Sequence, residues 1–360
     1  MDEDCLKLTT YLAERRRTDA GFVSDVLLDL YARHRVACGV VLRGAGGFGS
    51  GRYLRTDESL TLSEDPPVAI VAVDTRRKIE ALLDPVLAIK QRGLVTLERA
   101  RLLRDVGPFP RSLPGELREA VKLTVYVGRK ERANGTPAYV AVCDLLHRRR
   151  VAGASVLLGV DGVSQGQRHR ARFFGRNSNV PMMLVAVGSG ERIAGVLPEL
   201  AGLLREPVFT LERVRVCKRD GELLERPHAL PGVDERGLSL FQKLTVYTSE
   251  SALVDGVPIH RAIVQQLCQR AAPDGATVLR GIWGYYGDHR PHGDTFLSLR
   301  RRVPVLTILV DTPASIAESF DVIDELTRAD GLVTSEMVPA VVSDEHDAGG
   351  GPPRMARHRY

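Results

Sequence analysis

The pattern of apolar and polar residues changes period several times along the first hundred residues, and each change marks a predicted element. The stretch LKLTTYLA alternates residue by residue, as a half-buried strand does, and FVSDVLLDLYARH places its apolar residues on one face of a helix. The apolar runs CGVVLRG and PPVAIVAVD predict buried strands. A helical pattern over 78–89 and the strand GLVTLERARLL complete the order β-α-β-β-α-β, which is that of the ferredoxin-like fold.

This pattern occurs three times in the chain. The motif KLTTY or KLTVY begins at a lysine, and a glycine that ends the second strand follows 37 or 38 residues later: Lys7 and Gly44, Lys122 and Gly159, Lys243 and Gly281. A repeat of this length indicates tandem copies of one structural unit. The predicted units span 6–103, 121–217 and 242–342; the linkers are 104–120 and 218–241, and the glycine- and proline-rich tail 343–360 is predicted to be disordered.

The predicted central strands are apolar on both faces. Helices cover only one face of a four-stranded sheet, so the other face of each unit requires a partner. Three such faces can close around a pseudo-threefold axis, and the two linkers are long enough for this arrangement. We therefore expect an α+β chain whose three ferredoxin-like units form a monomeric pseudo-trimer, although independent units joined like beads on a string are the alternative.

Composition narrows the functional classes only slightly. A net charge of +5 and a pI near 9.0 weakly favour anionic partners. Five widely spaced cysteines with no C-x-x-C pair are typical of a reducing compartment. The sequence has no signal-peptide pattern and no long apolar run, so a cytoplasmic location is expected. No pattern of metal ligands appears, because the pair His289 and His292 lacks a carboxylate or cysteine to complete it.

Several of these stretches together resemble a known family. The segments KLTVY, VLRGAGGFGSGR, ATVLRGIWGYYG, SEDPPV and GLVTLERARLL, in this order in their units, resemble the PII-like "domain of unknown function 190" group. The resemblance covers all three units and implies a fold similar to PII signal-transduction proteins and CutA, which are trimers of ferredoxin-like subunits. It also implies adenine-nucleotide binding in clefts between units, and an integral membrane protein partner contacted through the loop after the second strand.

The candidate site is the polar stretch that follows the second strand of each unit. Glycines there would let backbone N–H groups converge on an anion, and the arginines suit phosphate oxygens. A flexible, solvated loop is the alternative. The candidate nucleotide-binding residues are Arg43, Gly44, Gly46, Gly47, Gly49, Arg52, Gly159, Gly162, His169, Arg280, Gly281, Gly284, Tyr286 and His292.

The three stretches differ in ways that make the predicted clefts unequal. Unit 2 has Leu158 at the place of Arg43 and Arg280. Unit 1 has Leu54 at the place of the histidines His169 and His292. Aromatic residues in unit 3 suit either base stacking or packing on a neighbouring unit. The three lysines of the KLT motif are expected at strand ends facing water rather than on a phosphate, and Glu98, Glu212 and Glu336 in the last strands are expected to be structural.

No nucleophile elbow, H-E-x-x-H motif or recurring pair of carboxylates indicates catalysis. The sequence therefore favours a non-catalytic sensor or regulator without a cofactor, for which an adenine nucleotide is the expected ligand. A protein-interaction scaffold without a small ligand is the alternative. A nucleic-acid-binding module is disfavoured, because the central strands carry aliphatic residues and aromatic residues make up only 5% of the chain.

Overall fold

In a computed structural model, the chain is a mixed α/β protein with a large, curled antiparallel sheet. The structure describes residues 2–56, 65–89, 93–104, 113, 117, 119–170, 179–206, 208–270, 273–287, 289–293 and 303–343. Within these residues the sheet has 20 strands, and six helices pack against it. Three segments discussed above lie outside the described residues: most of 104–120, the tail beyond Ser343 that is predicted to be disordered, and residues 63–64 of the SEDPPV segment.

Unit 1 follows the order predicted from the sequence, with short strands added at its turns. Its helices are α1 (Val23–Arg33) and α2 (Arg76–Ala88). Its strands are β1 (Asp2–Ala13), β2 (Arg17–Thr18), β3 (Gly21–Phe22), β4 (Cys38–Arg43), β5 (Gly46–Phe48), β6 (Arg55–Thr56), β7 (Pro67–Thr75) and β8 (Gly93–Arg104).

Unit 2 repeats this series. Its helices are α3 (Ala138–Arg148) and α4 (Gly190–Leu203). Its strands are β9 (Val121–Gly128), β10 (Arg132–Ala133), β11 (Thr136–Pro137), β12 (Gly153–Leu157), β13 (Gly159–Ser164), β14 (Gln167–Arg170), β15 (Pro181–Gly188), β16 (Val208–Arg213), β17 (Arg215–Arg219) and β18 (Glu222–Leu223).

Unit 3 has the same helices in the same places, α5 (Ile259–Gln269) and α6 (Pro313–Leu326). Its strands are β19 (Phe241–Ser249), β20 (Leu253–Val254), β21 (Val257–Pro258), β22 (Ala276–Tyr286), β23 (His292–Gly293), β24 (Pro304–Asp311), β25 (Leu332–Val338) and β26 (Ala340–Ser343).

The four long strands of each unit lie in one repeated antiparallel order. The last strand pairs with the first, the first with the third, and the third with the second: β8-β1-β7-β4, β16-β9-β15-β12 and β25-β19-β24-β22. The register is also repeated, since the lysine of each KLT motif lies opposite the glutamate of the last strand, as Lys7 does opposite Glu98.

The units are joined by strands that leave one unit and pair with the next. After the second strand, β5 of unit 1 pairs with β22 of unit 3, the end of β22 pairs with β12 of unit 2, and β13 of unit 2 pairs with β4 of unit 1. After the last strand, the end of β8 pairs with β16, β17 pairs with β25, and β26 pairs with β8. Both series connect all three units and return to the unit on which they began.

Each central strand buries both of its faces, as its sequence predicts. In β7, Val68, Ile70 and Ala72 pack with the helices of unit 1, whereas Ala69, Val71 and Val73 belong to a central cluster that contains residues of all three units. Units 2 and 3 have helix-side clusters of their own. The core therefore has four parts: one under the helices of each unit, and one between the three sheets.

The first residues of the segment between units 2 and 3 are ordered and do not form a flexible linker. Its first residues continue β17, form a hairpin with β18 and pack on unit 3. The ammonium of Lys218, which is only 2% exposed, lies 2.5 Å from the Asp324 carboxylate on α6. In the first linker, Leu113 and Leu117 are buried against the core of unit 2.

None of the helices among the described residues is long and apolar enough to cross a membrane.

Candidate functional site

The first glycine of each predicted loop lies where the end of the second strand approaches the start of the third strand of the same unit. A Cβ atom on Gly44 would lie 2.8 Å from the Pro67 carbonyl oxygen, and one on Gly281 would lie 3.0 Å from the Pro304 oxygen. Gly159 has the same relationship to Pro181, at 2.1 Å. The Gly44 N–H donates to the Pro67 carbonyl at 2.7 Å, so it is engaged within the sheet.

Three residues further on, a second glycine in each unit faces a carbonyl of the neighbouring unit. A Cβ on Gly47 would lie 2.2 Å from the Ala276 oxygen, and one on Gly284 would lie 2.2 Å from the Ala154 oxygen. Gly162 similarly meets the Gly39 oxygen at 2.5 Å. Gly47 and Gly284 also have positive φ values of 144° and 156°, which side chains rarely adopt. The recurring G-x-x-G spacing therefore serves the joining of units.

The remaining two glycines of unit 1 differ from each other. Gly46 lies in β5 and pairs with Val278 on one side and Thr56 on the other, so it also belongs to the junction with unit 3. Gly49 has open space around its Cα. A role of these glycines in nucleotide binding stays a prediction.

Two of the candidate arginines form ion pairs within their own unit. Arg43 contacts Glu14 at 2.9 Å, and Arg280 contacts Glu250 at 2.6 Å. Each glutamate lies seven residues after the lysine of its KLT motif. In unit 2 the corresponding residues are Leu158 and Arg129, so both the arginine and the glutamate of this ion pair are replaced. The loss of the arginine in unit 2 is thus matched by the loss of its carboxylate.

Arg52 binds the carboxyl end of a helix in another unit. Its guanidinium donates to the carbonyl of Cys268 at 3.1 Å, to that of Arg270, and to that of Pro273 at 3.3 Å. These carbonyls lie at and after the end of α5, where backbone acceptors lack partners within the helix and where a cation is favoured by the helix dipole. The side chain is therefore occupied by unit 3.

The histidines occupy matching places in two hairpins. His169 lies opposite Gly162, and His292 lies opposite Gly284. In unit 1 the residue opposite Gly47 is Arg55, not Leu54. The sequence assignment of Leu54 to this place is therefore wrong by one residue, because a strand partner depends on hairpin register, which the polar loop does not reveal. The His292 ring is hydrogen-bonded at 2.8 Å to the Arg290 carbonyl.

Each hairpin packs on the first helix of a neighbouring unit, and the chemistry differs between the three junctions. Arg168 of unit 2 contacts Asp25 and Asp29 on α1 and also Asp161 in its own hairpin. Burial would raise the pKa of Asp25, but hydrogen bonds and charge from Arg168 and Arg170 outweigh it and lower that pKa. This junction is ionic.

The junction between units 2 and 3 is aromatic. Trp283 meets Tyr139 of α3 edge to face at 6.4 Å, and Tyr285 meets His147 in the same way at 5.0 Å. The Tyr285 hydroxyl donates to the Val151 carbonyl at 2.9 Å. The differences between the three polar stretches therefore follow the neighbour that each stretch contacts.

A small cleft lies between units 2 and 3 beside Tyr286. Its volume is about 30 Å³, and its lining includes Ser155 and Val185 of unit 2 with Tyr247 and Tyr286 of unit 3. The Tyr286 hydroxyl is held by the Asp220 carboxylate and lies 3.2 Å from the Gly331 carbonyl. Burial and the negative charge of Asp220 raise the pKa of Tyr286. Tyr286 is therefore a candidate residue that lines this inter-unit cleft.

The most heavily charged site is one that the sequence analysis missed. The lysines of the three KLT motifs and the glutamates of the three last strands converge at the centre of the molecule, where every one of them is buried: Lys7, Lys122, Lys243, Glu98, Glu212 and Glu336. The expectation that these lysines face water is wrong. Lys7, Thr9 and Tyr11 alternate along β1 and share the face that points to the other units.

These six side chains, called here the charge ring, connect the units in one direction. Lys7 of unit 1 lies 2.5 Å from Glu212 of unit 2. Lys122 of unit 2 lies 2.6 Å from Glu336 of unit 3. Lys243 of unit 3 closes the cycle at 3.0 Å from Glu98 of unit 1. Lys7 and Lys122 also contact the glutamates of their own units, at 2.6 and 2.8 Å.

Ion pairing offsets the effect of burial on Lys7 and Glu98 of the charge ring. Burial alone would lower the pKa of Lys7, but the charges of Glu212, Glu98 and Glu336 outweigh it and raise that pKa well above its usual value. Burial likewise would raise the pKa of Glu98, but Lys243, Lys7 and Lys122 hold it well below its usual value. Three ammonium groups thus balance three carboxylates.

The carboxylates of the charge ring also have the spacing of a metal site. One oxygen from each of Glu98, Glu212 and Glu336 lies within 4.8 Å of the others. The positive charge that a bound cation would supply is already provided by the three lysines. The donor set therefore fits an internal ion-pair network better than it fits a metal.

The comparisons with known proteins agree with the threefold repeat. The chain matches the family described as "Uncharacterized ACR", domain of unknown function 190, at residues 5–102, 120–216 and 241–340. One relative is the "UPF0166 protein" of Aquifex aeolicus (strain VF5), which is 28% identical over 98 residues; the aligned part is 27% of this chain and 90% of that protein. No solved structure matches. The chain therefore belongs to the PII-like family of domain of unknown function 190, and it carries three copies of that domain in tandem.

Proposed function

We propose that this chain is a non-catalytic PII-like regulator in which three ferredoxin-like units form an intramolecular pseudo-trimer. The repeated strand order, in which the last, first, third and second strands are neighbours, supports the ferredoxin-like assignment. The two closed series of strand exchanges and the charge ring support the pseudo-trimer, since all three return to the unit on which they begin.

The proposed ligand is an adenine nucleotide or a related anion, bound in the cleft between units 2 and 3. The observation that carries this proposal is the position of Tyr286, an aromatic ring at an opening between two units of a PII-like chain. The cleft's volume of about 30 Å³ is roughly that of one water molecule. A nucleotide therefore enters only if Tyr286 leaves Asp220 and the Gly331 carbonyl, after which its ring can stack on the base.

A regulatory role fits the charged groups better than catalysis does. The six side chains of the charge ring are buried and paired with one another, so they do not meet a substrate arriving from solvent. Signalling to a partner, including an integral membrane protein, rests on the family resemblance. Tyr53, which is 77% exposed, and Leu54, which is 39% exposed, are apolar residues of the unit 1 loop that a partner would contact.

The nucleotide proposal is tested by thermal shift and by fluorescence. AMP, ADP, ATP and cyclic nucleotides are added to the full chain, and a ligand at 100 times its dissociation constant should stabilise the fold by about 2.7 kcal/mol. The single tryptophan, Trp283, lies at the same junction, so its emission should change on binding. The absence of stabilisation by every nucleotide at millimolar concentration would overturn the proposal.

Two variants separate gating by Tyr286 from stacking by its ring. Tyr286→Phe removes the hydroxyl that holds the ring closed, so nucleotide affinity should rise. Tyr286→Ala removes the stacking surface, so affinity should fall. Tyr53→Ala, at an exposed tyrosine that does not line this cleft, is the control and should leave nucleotide affinity unchanged. If Tyr286→Phe and Tyr286→Ala bind as the original chain does, the cleft is not the nucleotide site.

A further inference from the structure

Unit 2 has a second, larger cavity, separate from the cleft at Tyr286. Its volume is about 580 Å³, within the range of roughly 300–1,000 Å³ that is usual for small-molecule pockets. It lies between the turn after β9, the residues after α4 and Asn179, which precedes β15. The described residues that line it are Lys130, Glu131, Arg132, Asn179, Arg205 and Glu206. All six are polar or charged.

The carboxylates of this cavity already have partners. Glu131 accepts hydrogen bonds from the backbone N–H of Gly128 at 3.2 Å and from that of Arg205 at 3.4 Å. Glu206 accepts one from the Gln165 amide at 2.8 Å. Their negative charge is therefore partly satisfied by protein donors.

The cations of the cavity are less engaged. Arg132 donates to the Gly135 carbonyl at 2.6 Å. Within the part of the chain that the structure describes, Lys130 and Arg205 form hydrogen bonds through their backbone N–H groups, and neither the Lys130 ammonium nor the Arg205 guanidinium has a hydrogen-bonding or ionic partner. Three cations thus surround a space that contains two carboxylates with donors of their own, which leaves an excess of positive charge.

Comparison with the other units shows that the fold does not require these cations. The residues of unit 3 at the places of Lys130 and Arg132 are Ser251 and Leu253. The same turn geometry is kept, because the backbone N–H at the start of the following helix donates to the turn in both units. A structural requirement of the fold would appear in both copies.

Unit 1 has the cations but adds a negative charge. The residue of unit 1 that corresponds to Asn179 is Asp65, and each accepts a hydrogen bond from the equivalent backbone N–H, that of Lys130 at 2.9 Å and that of Arg15 at 2.6 Å. Unit 2 therefore keeps this hydrogen bond while replacing the carboxylate with a neutral amide. Of the two units that carry the cations, only unit 2 has an amide in place of this carboxylate.

We propose that the cavity of unit 2 binds a compact anion that carries phosphate, of the pyrophosphate or sugar-phosphate class. Arginine guanidinium groups match phosphate oxygens in pairs, and a lysine ammonium adds a point charge. The described residues that line the cavity include no aromatic ring on which a base could stack, so recognition is by charge. This site is independent of the nucleotide cleft proposed above.

Isothermal titration calorimetry of the full chain with inorganic pyrophosphate tests this site. The original chain should bind one equivalent, and the affinity should fall as salt is added. Asn179→Asp places the unit 1 carboxylate in the cavity and should weaken binding about tenfold, while keeping the backbone hydrogen bond that Asp65 makes. Lys130→Ser with Arg132→Leu introduces the residues of unit 3 and should weaken binding further.

The matched control removes the same charges from unit 1. Arg15→Ser with Arg17→Leu alters the equivalent turn and should leave pyrophosphate binding unchanged. The proposal is overturned if the original chain gives no binding heat at millimolar pyrophosphate, or if Asn179→Asp binds as tightly as the original. It is also overturned if the unit 1 control loses as much affinity as the unit 2 variant, since binding then follows overall charge.

Discussion

The ammonium of Lys7 in unit 1 lies 2.5 Å from the carboxylate of Glu212 in unit 2, and both side chains are almost fully buried. The same contact joins unit 2 to unit 3 and unit 3 to unit 1. Each lysine thus needs a glutamate that another unit supplies. An isolated unit would hold its lysine and glutamate beside each other on an exposed face, whereas the assembled chain satisfies all six charges together.

Removal of one partner from the charge ring should be severe. Lys122→Met leaves Glu212 and Glu336 with less positive charge in a buried site, and the expected loss is about 3–5 kcal/mol of unfolding free energy. Urea denaturation measures it. Arg149→Met, which breaks an exposed pair with Glu199, is the control and should cost at most about 1 kcal/mol. Equal losses for the two variants would show that the charge ring contributes no more than a surface ion pair.

The glycine that faces a neighbouring carbonyl should not tolerate a side chain. Gly47→Ala places a Cβ atom 2.2 Å from the Ala276 oxygen at a φ of 144°, so pairing of β5 with β22 must be disturbed. We expect a loss of about 1–3 kcal/mol, measured by urea denaturation. Gly49→Ala is the matched control two residues away, where nothing lies within 4 Å, and it should change stability by less than about 0.5 kcal/mol. A tolerated Gly47→Ala would contradict the junction role.

Local patterns predicted the elements and the repeat but not the contacts between units. The alternation of Val68 to Val73 in β7 indicates that both faces are buried, and the structure places them in two clusters. The same alternation places Lys7 on the inner face, yet a lysine is seldom fully buried unless it is paired. Its partner, Glu212, is 205 residues away. The sequence signal of the charge ring is that each of the three units has a lysine in its first strand and a glutamate in its last strand.

The glycine-rich stretches show a second limit of the sequence. Glycine beside arginine suits both a phosphate cradle and a close contact between strands, and the spacing alone does not separate these uses. The structure shows that Gly44 and Gly47 approach backbone of β7 and β22, while Arg52 binds carbonyls at the end of α5. These partners are remote in sequence, so the local pattern of apolar and polar residues does not predict the contacts with them.

Stability should fall in acid because Glu98 of the charge ring then takes up a proton. Lysines hold the pKa of Glu98 well below its usual value, so the stability it provides is present above its unfolded pKa, about 4.3. It is lost as the pH falls from there towards the folded pKa. We expect the unfolding free energy, measured by urea denaturation, to be nearly constant from about pH 6 to 9 and to drop steeply below about pH 4.5.

A neutral pair in the charge ring should reduce this acid dependence. Glu98→Gln with Lys243→Met removes one positive and one negative charge that lie 3.0 Å apart. The doubly substituted chain should lose less unfolding free energy between pH 5 and 3 than the original chain does, because one fewer carboxylate with a lowered pKa takes up a proton on unfolding. An unchanged slope over this interval would show that carboxylates outside the charge ring dominate acid unfolding.

Arg52 should control access to the thiol of Cys268. The guanidinium donates to carbonyls at the end of α5, and the Cys268 thiol lies 3.2 Å from the Arg52 carbonyl; of the five free cysteines, Cys268 is the one that is only partly buried. Arg52→Ala should free this helix end, so alkylation of Cys268 by iodoacetamide, followed by mass spectrometry, should become about fivefold faster. Arg43→Ala, whose partner Glu14 belongs to unit 1, is the control. If Cys268 is alkylated at the original rate in both variants, the Arg52 contacts do not limit access to its thiol.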